Sequence, residues 1–147
     1  MKWYIIPLAI LFVFSSWFFI TSLIDNKEEN KQGEIQTIKE QIAKIESDSG
    51  RTLTNEEKLW YLLDLEYKFS LEEKIDAMII VKCESKFDLY AINVNRNGSL
   101  DLGIWQINER IHKLSRECMF DMYCSTEYAI NQLYAKNKNF SAWVCAK

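Results

Sequence analysis

No cluster of Lys or Arg stands anywhere in the 147 residues, and the formal net charge is −3. Nucleic-acid binding needs a basic stripe to neutralise phosphates, so that class of function is excluded. An acidic chain also has no long-range attraction for an anionic polymer; a substrate of that kind has to be met through local tethering. There is no CxxC pair and a single histidine, His112, so no metal site and no cofactor is expected. His112 is assigned no role. No internal repeat is visible, and nothing in the chain sets an oligomeric state. With 48% hydrophobic and 14% aromatic residues, a chain of this length can bury the core of one modest domain plus an extra segment, not two full domains.

The extra segment comes first. Trp3 to Ile24 runs for 22 residues without a charge and is broken only by Pro7, long enough to cross a bilayer core as a helix. A cleaved signal peptide has a shorter apolar run, so residues 1–24 are expected to form a retained single-pass anchor, with Thr21-Ser22 leaving cleavage and secretion as the other outcome. Lys2 before the run and Asp25-Asn26-Lys27-Glu28-Glu29 after it favour a cytoplasmic N-terminus and an extracytoplasmic remainder. All four cysteines lie on that exported side. An even number in an oxidising compartment reads as disulfides. Three pairings are open; the expected one joins Cys118 to Cys124 as a local clip and Cys83 to Cys145 as a long staple.

Residues 25–50 read as a polar linker followed by a short helix, on which Ile35, Ile38, Ile42 and Ile45 recur at helical spacing. Ser47-Asp48-Ser49-Gly50 closes it, and the globular domain is placed at 51–147. Thr54-Asn55-Glu56-Glu57 and Ser70-Leu71-Glu72-Glu73 are capping boxes. The first opens a helix burying Leu59, Leu62, Leu63 and Tyr67. The second opens a helix running to about Ser85, with Leu71, Ile75, Met78 and Ile79 inward. A third helix spans Ser125 to Lys136, with Tyr128, Ala129, Leu133 and Tyr134 inward.

Between the second and third helices, Asn97-Gly98 signals a hairpin whose two central residues both take positive φ. Beyond it Leu100, Leu102 and Ile104 alternate with Asp101, Gly103 and Trp105, which places Asp101 opposite the aliphatic face between the small residues Ser99 and Gly103. Trp105 on that same face is open to stacking on a ligand or to core packing. The second helix ends at Cys83-Glu84-Ser85. A carboxylate in a last helical turn faces the negative end of the dipole, and neighbouring apolar groups such as Phe87 and Trp143 add desolvation. Such an acid can hold a proton and deliver it to a leaving oxygen. The fold class expected is α+β: a mainly helical domain with a small antiparallel hairpin, preceded by a transmembrane helix.

Taken together, Glu84-Ser85-x-Phe87, Ala91, Asn93, Asn95-Arg96-Asn97 and Gly98-Ser99-x-Asp101-x-Gly103-Ile104-x-Gln106-Ile107-Asn108 resemble the catalytic helix and hairpin of animal-type lysozymes without a gap. The later Ala142-Trp143-Val144 is similar to that family's segment beside the catalytic acid. Glu-Ser followed by Gly-x-x-Gln-Ile-Asn is also similar to lytic transglycosylases, which mostly lack the Asp. Cys83 directly before Glu84, Cys145 just after Trp143 and the acidic composition depart from animal lysozymes and point to a divergent member.

The resemblance implies a lysozyme-like fold and cleavage of the β-1,4 bond between N-acetylmuramic acid and N-acetylglucosamine, with peptidoglycan as the partner. It makes Glu84 the general acid and base and Asp101 the nucleophile or electrostatic stabiliser. Asn93, Asn95, Gln106, Asn108 and Trp143 become substrate-side residues. Two alternatives stand beside hydrolysis: a lytic transglycosylase that uses Glu84 alone and forms 1,6-anhydromuramyl ends, and an inactive wall-binding envelope protein.

Overall fold

A computed structural model describes residue 30, residues 33–143 and residue 145 of the chain. The expected anchor at Trp3 to Ile24 lies outside the described residues; among those described, no helix is long and apolar enough to cross a membrane. The chain divides into two compact units, Met1–Glu40 and Gln41–Lys147. Helical backbone runs through residues 33–49 (α1). In the first unit Thr37 Oγ1 donates to the Gly33 carbonyl and Gln36 Nε2 to Glu40 Oε1.

The second unit opens at Gln41, and side chains between it and Ser47 are tied into that unit. Ile42 is buried, and the Glu46 carboxylate accepts the Leu53 N–H at 2.9 Å and pairs with Lys58 at 3.0 Å. That backbone donor and the lysine hold the Glu46 carboxyl below its usual range. Both predicted capping boxes are formed. Thr54 and Glu57 exchange hydrogen bonds at the start of α2 (Asn55–Leu65), and Ser70 and Glu73 do so at the start of α3 (Leu71–Glu84). Arg51 clamps Glu57 from outside, which holds that carboxyl down at about 2.

Helix α2 buries Leu59, Leu62 and Leu63 as its periodicity requires; Tyr67, beyond its end, is half-buried. Helix α3 is turned from the expected orientation. Leu71, Ile75 and Ile79 are exposed, Met78 is half-buried, and the buried face is Ala77, Ile80 and Val81. The helix carries apolar residues on two stripes, and packing on its neighbours chose the narrower one. Spacings of 3, 4 and 7 from Ala77 continue that stripe to Glu84, so the rotation which exposes Ile75 and Ile79 carries Glu84 into the domain.

The sheet has three antiparallel strands in chain order: β1 (Ile92–Val94), β2 (Leu100–Leu102) and β3 (Ile107–Asn108). The hairpin between β1 and β2 forms, but its turn is not centred on Asn97-Gly98. Gly98 N–H returns to the Asn95 carbonyl, Asn95 N–H bonds the Ser99 carbonyl, and of the turn residues only Gly98 has positive φ (76°). This is the three-residue turn with a glycine bulge. It wins because the Asn97 side chain caps the following Ser99 N–H at 3.0 Å, so Asn97 has no need of the left-handed region. Strand β2 stops at Leu102, and Gly103 (φ 73°) turns the chain inward. Ile104 and Trp105 therefore leave the alternation and are fully buried.

Two short helices, α4 (Arg116–Phe120) and α5 (Met122–Tyr128), are clipped together by the Cys118–Cys124 disulfide. Helix α5 continues into a π-helical segment, Ala129–Tyr134, and then α6 (Ala135–Asn137). The wider turns shift the phase from that of a regular helix. Ala129, Ile130 and Tyr134 are buried, whereas Tyr128 and Leu133 sit half-buried, contrary to the inward placing of all four. The domain has an aromatic core: Trp105 stacks on Phe140 (centroids 6.3 Å, planes 9° apart), and Trp143 packs on both.

Candidate active site

Glu84 and Asp101 line one cleft of about 1070 Å³. Glu84 enters from the last residue of α3, Asp101 from the middle of β2, Asn108 and His112 from β3 and the loop after it, and Trp143 from the irregular segment beyond α6. A separate groove of about 660 Å³ runs beside Glu72, Glu73, Asp76 and Tyr134; neither Glu84 nor Asp101 lines it. There Tyr134 Oη donates to Glu73 Oε1 at 2.6 Å, holding the Glu73 carboxyl down, while burial first and Glu73 second push the Tyr134 hydroxyl up to about 12.

Strand register sets the Asp101 wall. Asn93 and Asn108 are the cross-strand partners of Asp101 on either side. Asn108 Nδ2 donates to Asp101 Oδ1 at 2.6 Å and to Ser99 Oγ at 2.9 Å. Ser99 Oγ donates to Asn97 Oδ1 at 2.8 Å and accepts from Asn95 Nδ2 at 3.2 Å, so the hydroxyl is fully used. The wall is thus a relay of amide and hydroxyl groups ending on a carboxylate, which fixes the carboxylate's orientation before any substrate arrives.

Across the cleft, half-buried Glu84 accepts the backbone N–H of Cys145 on Oε1 at 3.2 Å. Trp143 is 5% exposed and donates its indole N–H to the Trp105 carbonyl at 2.8 Å, so it lines the cleft from a fixed position in the core. Trp105 is wholly core: its indole N–H donates to Thr126 Oγ1 at 2.8 Å.

Of the five substrate-side residues expected from sequence, Asn95, Gln106, Asn108 and Trp143 line the cleft. Asn93 is exposed and is not among the lining residues; its Nδ2 donates to Gln106 Oε1 at 2.7 Å. Gln106 also donates to the Ala91 and Gly103 carbonyls, so its amide is occupied in holding the β2–β3 turn, where its own φ is 51°. Among the described residues, no group of three or more His, Cys, Asp or Glu side chains converges in metal-binding geometry.

His112, assigned no role from sequence, belongs to the cleft wall. Its Nδ1 lies 3.0 Å from Tyr128 Oη, and the rings meet edge to face. A lone histidine past a strand end carries no signal of this, because its partner is sixteen residues away on α5. Partial burial, reinforced by Lys136, holds the imidazole below its ordinary 6.5, with Asp101 pulling weakly the other way. In the window between 6.5 and the lower folded value, the unfolded chain binds a proton that the folded chain refuses. The His112 contribution to stability is therefore complete above pH 6.5 and falls as pH drops through the folded value. Urea midpoints at pH 7.5 and pH 5 should differ more in the native protein than in His112→Phe, and the single His Cε1–H resonance should titrate below 6.5.

Two carboxylates delivered by different elements to one cleft lined by amides, a serine and a tryptophan are the equipment of a glycosidase-type enzyme. Residues 63–147, more than half of the chain, match the Transglycosylase SLT domain, and the chain belongs to that family: it is an enzyme of the lytic transglycosylase type, acting on peptidoglycan. Among solved structures it is similar to a lysozyme from Litopenaeus vannamei, with 25% identity, 63% of this chain and 83% of that chain covered, and a TM-score of 0.46. No curated protein matches the chain.

Proposed function

We propose that the enzyme cleaves the β-1,4 bond between N-acetylmuramic acid and N-acetylglucosamine, with Glu84 as general acid and base and Asp101 facing the anomeric carbon. The observation that carries this reading is the placing of Glu84 and Asp101 on one cleft, with Asp101 already oriented by Asn108. Glu84 protonates the glycosidic oxygen as the bond to C1 breaks, and positive charge develops on the sugar ring. Asp101 stabilises that charge or bonds to C1. Water then adds to C1 with Glu84 taking its proton, leaving a reducing end. The two disulfides and the uncharged run at 3–24 support an extracytoplasmic, membrane-tethered placement.

A second reading has its own support in the family match. Here Glu84 takes the proton from the muramyl C6 hydroxyl, whose oxygen closes on C1, and the product is a 1,6-anhydro end with no water consumed. Mass spectrometry of digested sacculi separates the two, since reducing and anhydro ends differ by one water. Asp101→Asn is expected to lower the rate about 10²-fold under hydrolysis, where a fixed charge facing the cationic sugar is lost. A variant that keeps nearly full rate and yields anhydro ends would decide for transglycosylation. Intact sacculi after digestion with the native enzyme would defeat both readings.

A further inference from the structure

Glu84 is flanked by a covalent link that the proposed mechanism leaves unused. Cys83, the residue before it, is exposed in the last turn of α3 and is bonded to Cys145, 62 residues on. The same Cys145 supplies the backbone N–H that Glu84 Oε1 accepts. One residue thus holds the carboxylate by its main chain and the helix carrying that carboxylate by its side chain.

Among the described residues, the segment bearing Cys145 is held by few other ties. Regular helix ends at α6, Lys138 takes positive φ, and the residues to Trp143 are turns. Phe140 and Trp143 anchor the segment in the aromatic core, Trp143 through the Trp105 carbonyl as well. Those anchors stop two residues short of Cys145. Opening the disulfide therefore leaves the core packing intact while removing the tie that keeps the Cys145 N–H on Glu84. The other disulfide, Cys118–Cys124, joins residues six apart on α4 and α5, and neither cysteine lines the cleft.

We propose that the Cys83–Cys145 disulfide is a redox-sensitive positioning device for Glu84: closed, it holds the Cys145 N–H against the carboxylate, and opened by a dithiol it lets the carboxylate wander and slows cleavage. The exchange is balanced. A dithiol attacks the Cys83 sulfur, passes through a mixed disulfide, and leaves as its own disulfide; two electrons and two protons end as two protein thiols. The enzyme is then most active where disulfides persist and idles in a reducing compartment. This inference rests on the role of Glu84 proposed above.

The test uses the full chain along a dithiothreitol series, with the state of each disulfide read by alkylation and mass spectrometry and the folded fraction by circular dichroism. Turnover of soluble peptidoglycan fragments should fall about 10²-fold as Cys83–Cys145 opens, with KM little changed, the folded fraction steady, and activity restored on reoxidation. Cys83→Ser/Cys145→Ser should reproduce the loss and move the Glu84 carboxyl 13C resonance, whereas Cys118→Ser/Cys124→Ser should do neither. Full turnover and an unmoved Glu84 resonance with Cys83–Cys145 open would overturn the inference, as would a loss that merely tracks unfolding. An oxidised enzyme that cleaves nothing would defeat the proposed function instead, and the carboxyl resonance would still decide whether the disulfide positions Glu84.

Discussion

Glu84→Gln is expected to reduce release of peptidoglycan fragments by about 10³-fold, the range that general acid catalysis supplies, while leaving the melting temperature within a degree or two. The asymmetry follows from what each atom does. The amide oxygen of Gln can still accept the Cys145 N–H, so the segment after α6 stays in place. The side chain keeps its size at the end of a helix whose position depends on Ala77, Ile80 and Val81. It has no proton to give to a leaving oxygen. Chromatography of muropeptides alongside a thermal melt checks both halves, and a stable variant with undiminished release would remove Glu84 from the chemistry under hydrolysis and transglycosylation alike.

Gly103→Ala is expected to be the most damaging single-atom change to the fold that carries the cleft. Two costs combine. Its φ of 73° is a region that L side chains rarely adopt, and an added Cβ would lie 1.8 Å from the Met119 carbonyl oxygen and 2.8 Å from its carbon. Those are backbone atoms of α4, so relief requires moving a helix rather than a flexible side chain. Strain and overpacking together cost about 4 kcal/mol or more, which for a domain of this size lowers the melting temperature by roughly 15–30 °C. Gly98→Ala is the control: φ is similar at 76°, but nothing lies within 4 Å, so only the backbone cost of about 1 kcal/mol remains. Calorimetry of the two variants separates close approach from conformation; equal melting temperatures would refute the packing argument.

The clash at Gly103 also bears on what a sequence can reveal. Period-two alternation carries Leu100 to Leu102 correctly and then fails at Ile104 and Trp105, because strand β2 is three residues long and Gly103 turns it under α4. Local chemistry was readable wherever the partners lie within a few residues: Thr54 with Glu57, Ser70 with Glu73, and the hairpin around Gly98. The turn itself came out differently because the Asn97 side chain, not its backbone conformation, made the local bond.

By itself, the amino-acid sequence determined the starts of α2 and α3, the presence of a hairpin, and the pair of acidic residues seventeen positions apart, since each depends on short spacings that no packing partner can alter; the helix expected from Ser125 instead begins at Met122, and α4 before it was not foreseen. Only the tertiary structure decided which stripe of α3 faces inward and so takes Glu84 with it, that Trp105 is core and Trp143 lines the cleft, and that His112 stands on its wall beside Tyr128. Those outcomes depend on which surfaces meet across tens of residues. An apolar pattern with two possible faces does not contain that information until its neighbours are in place.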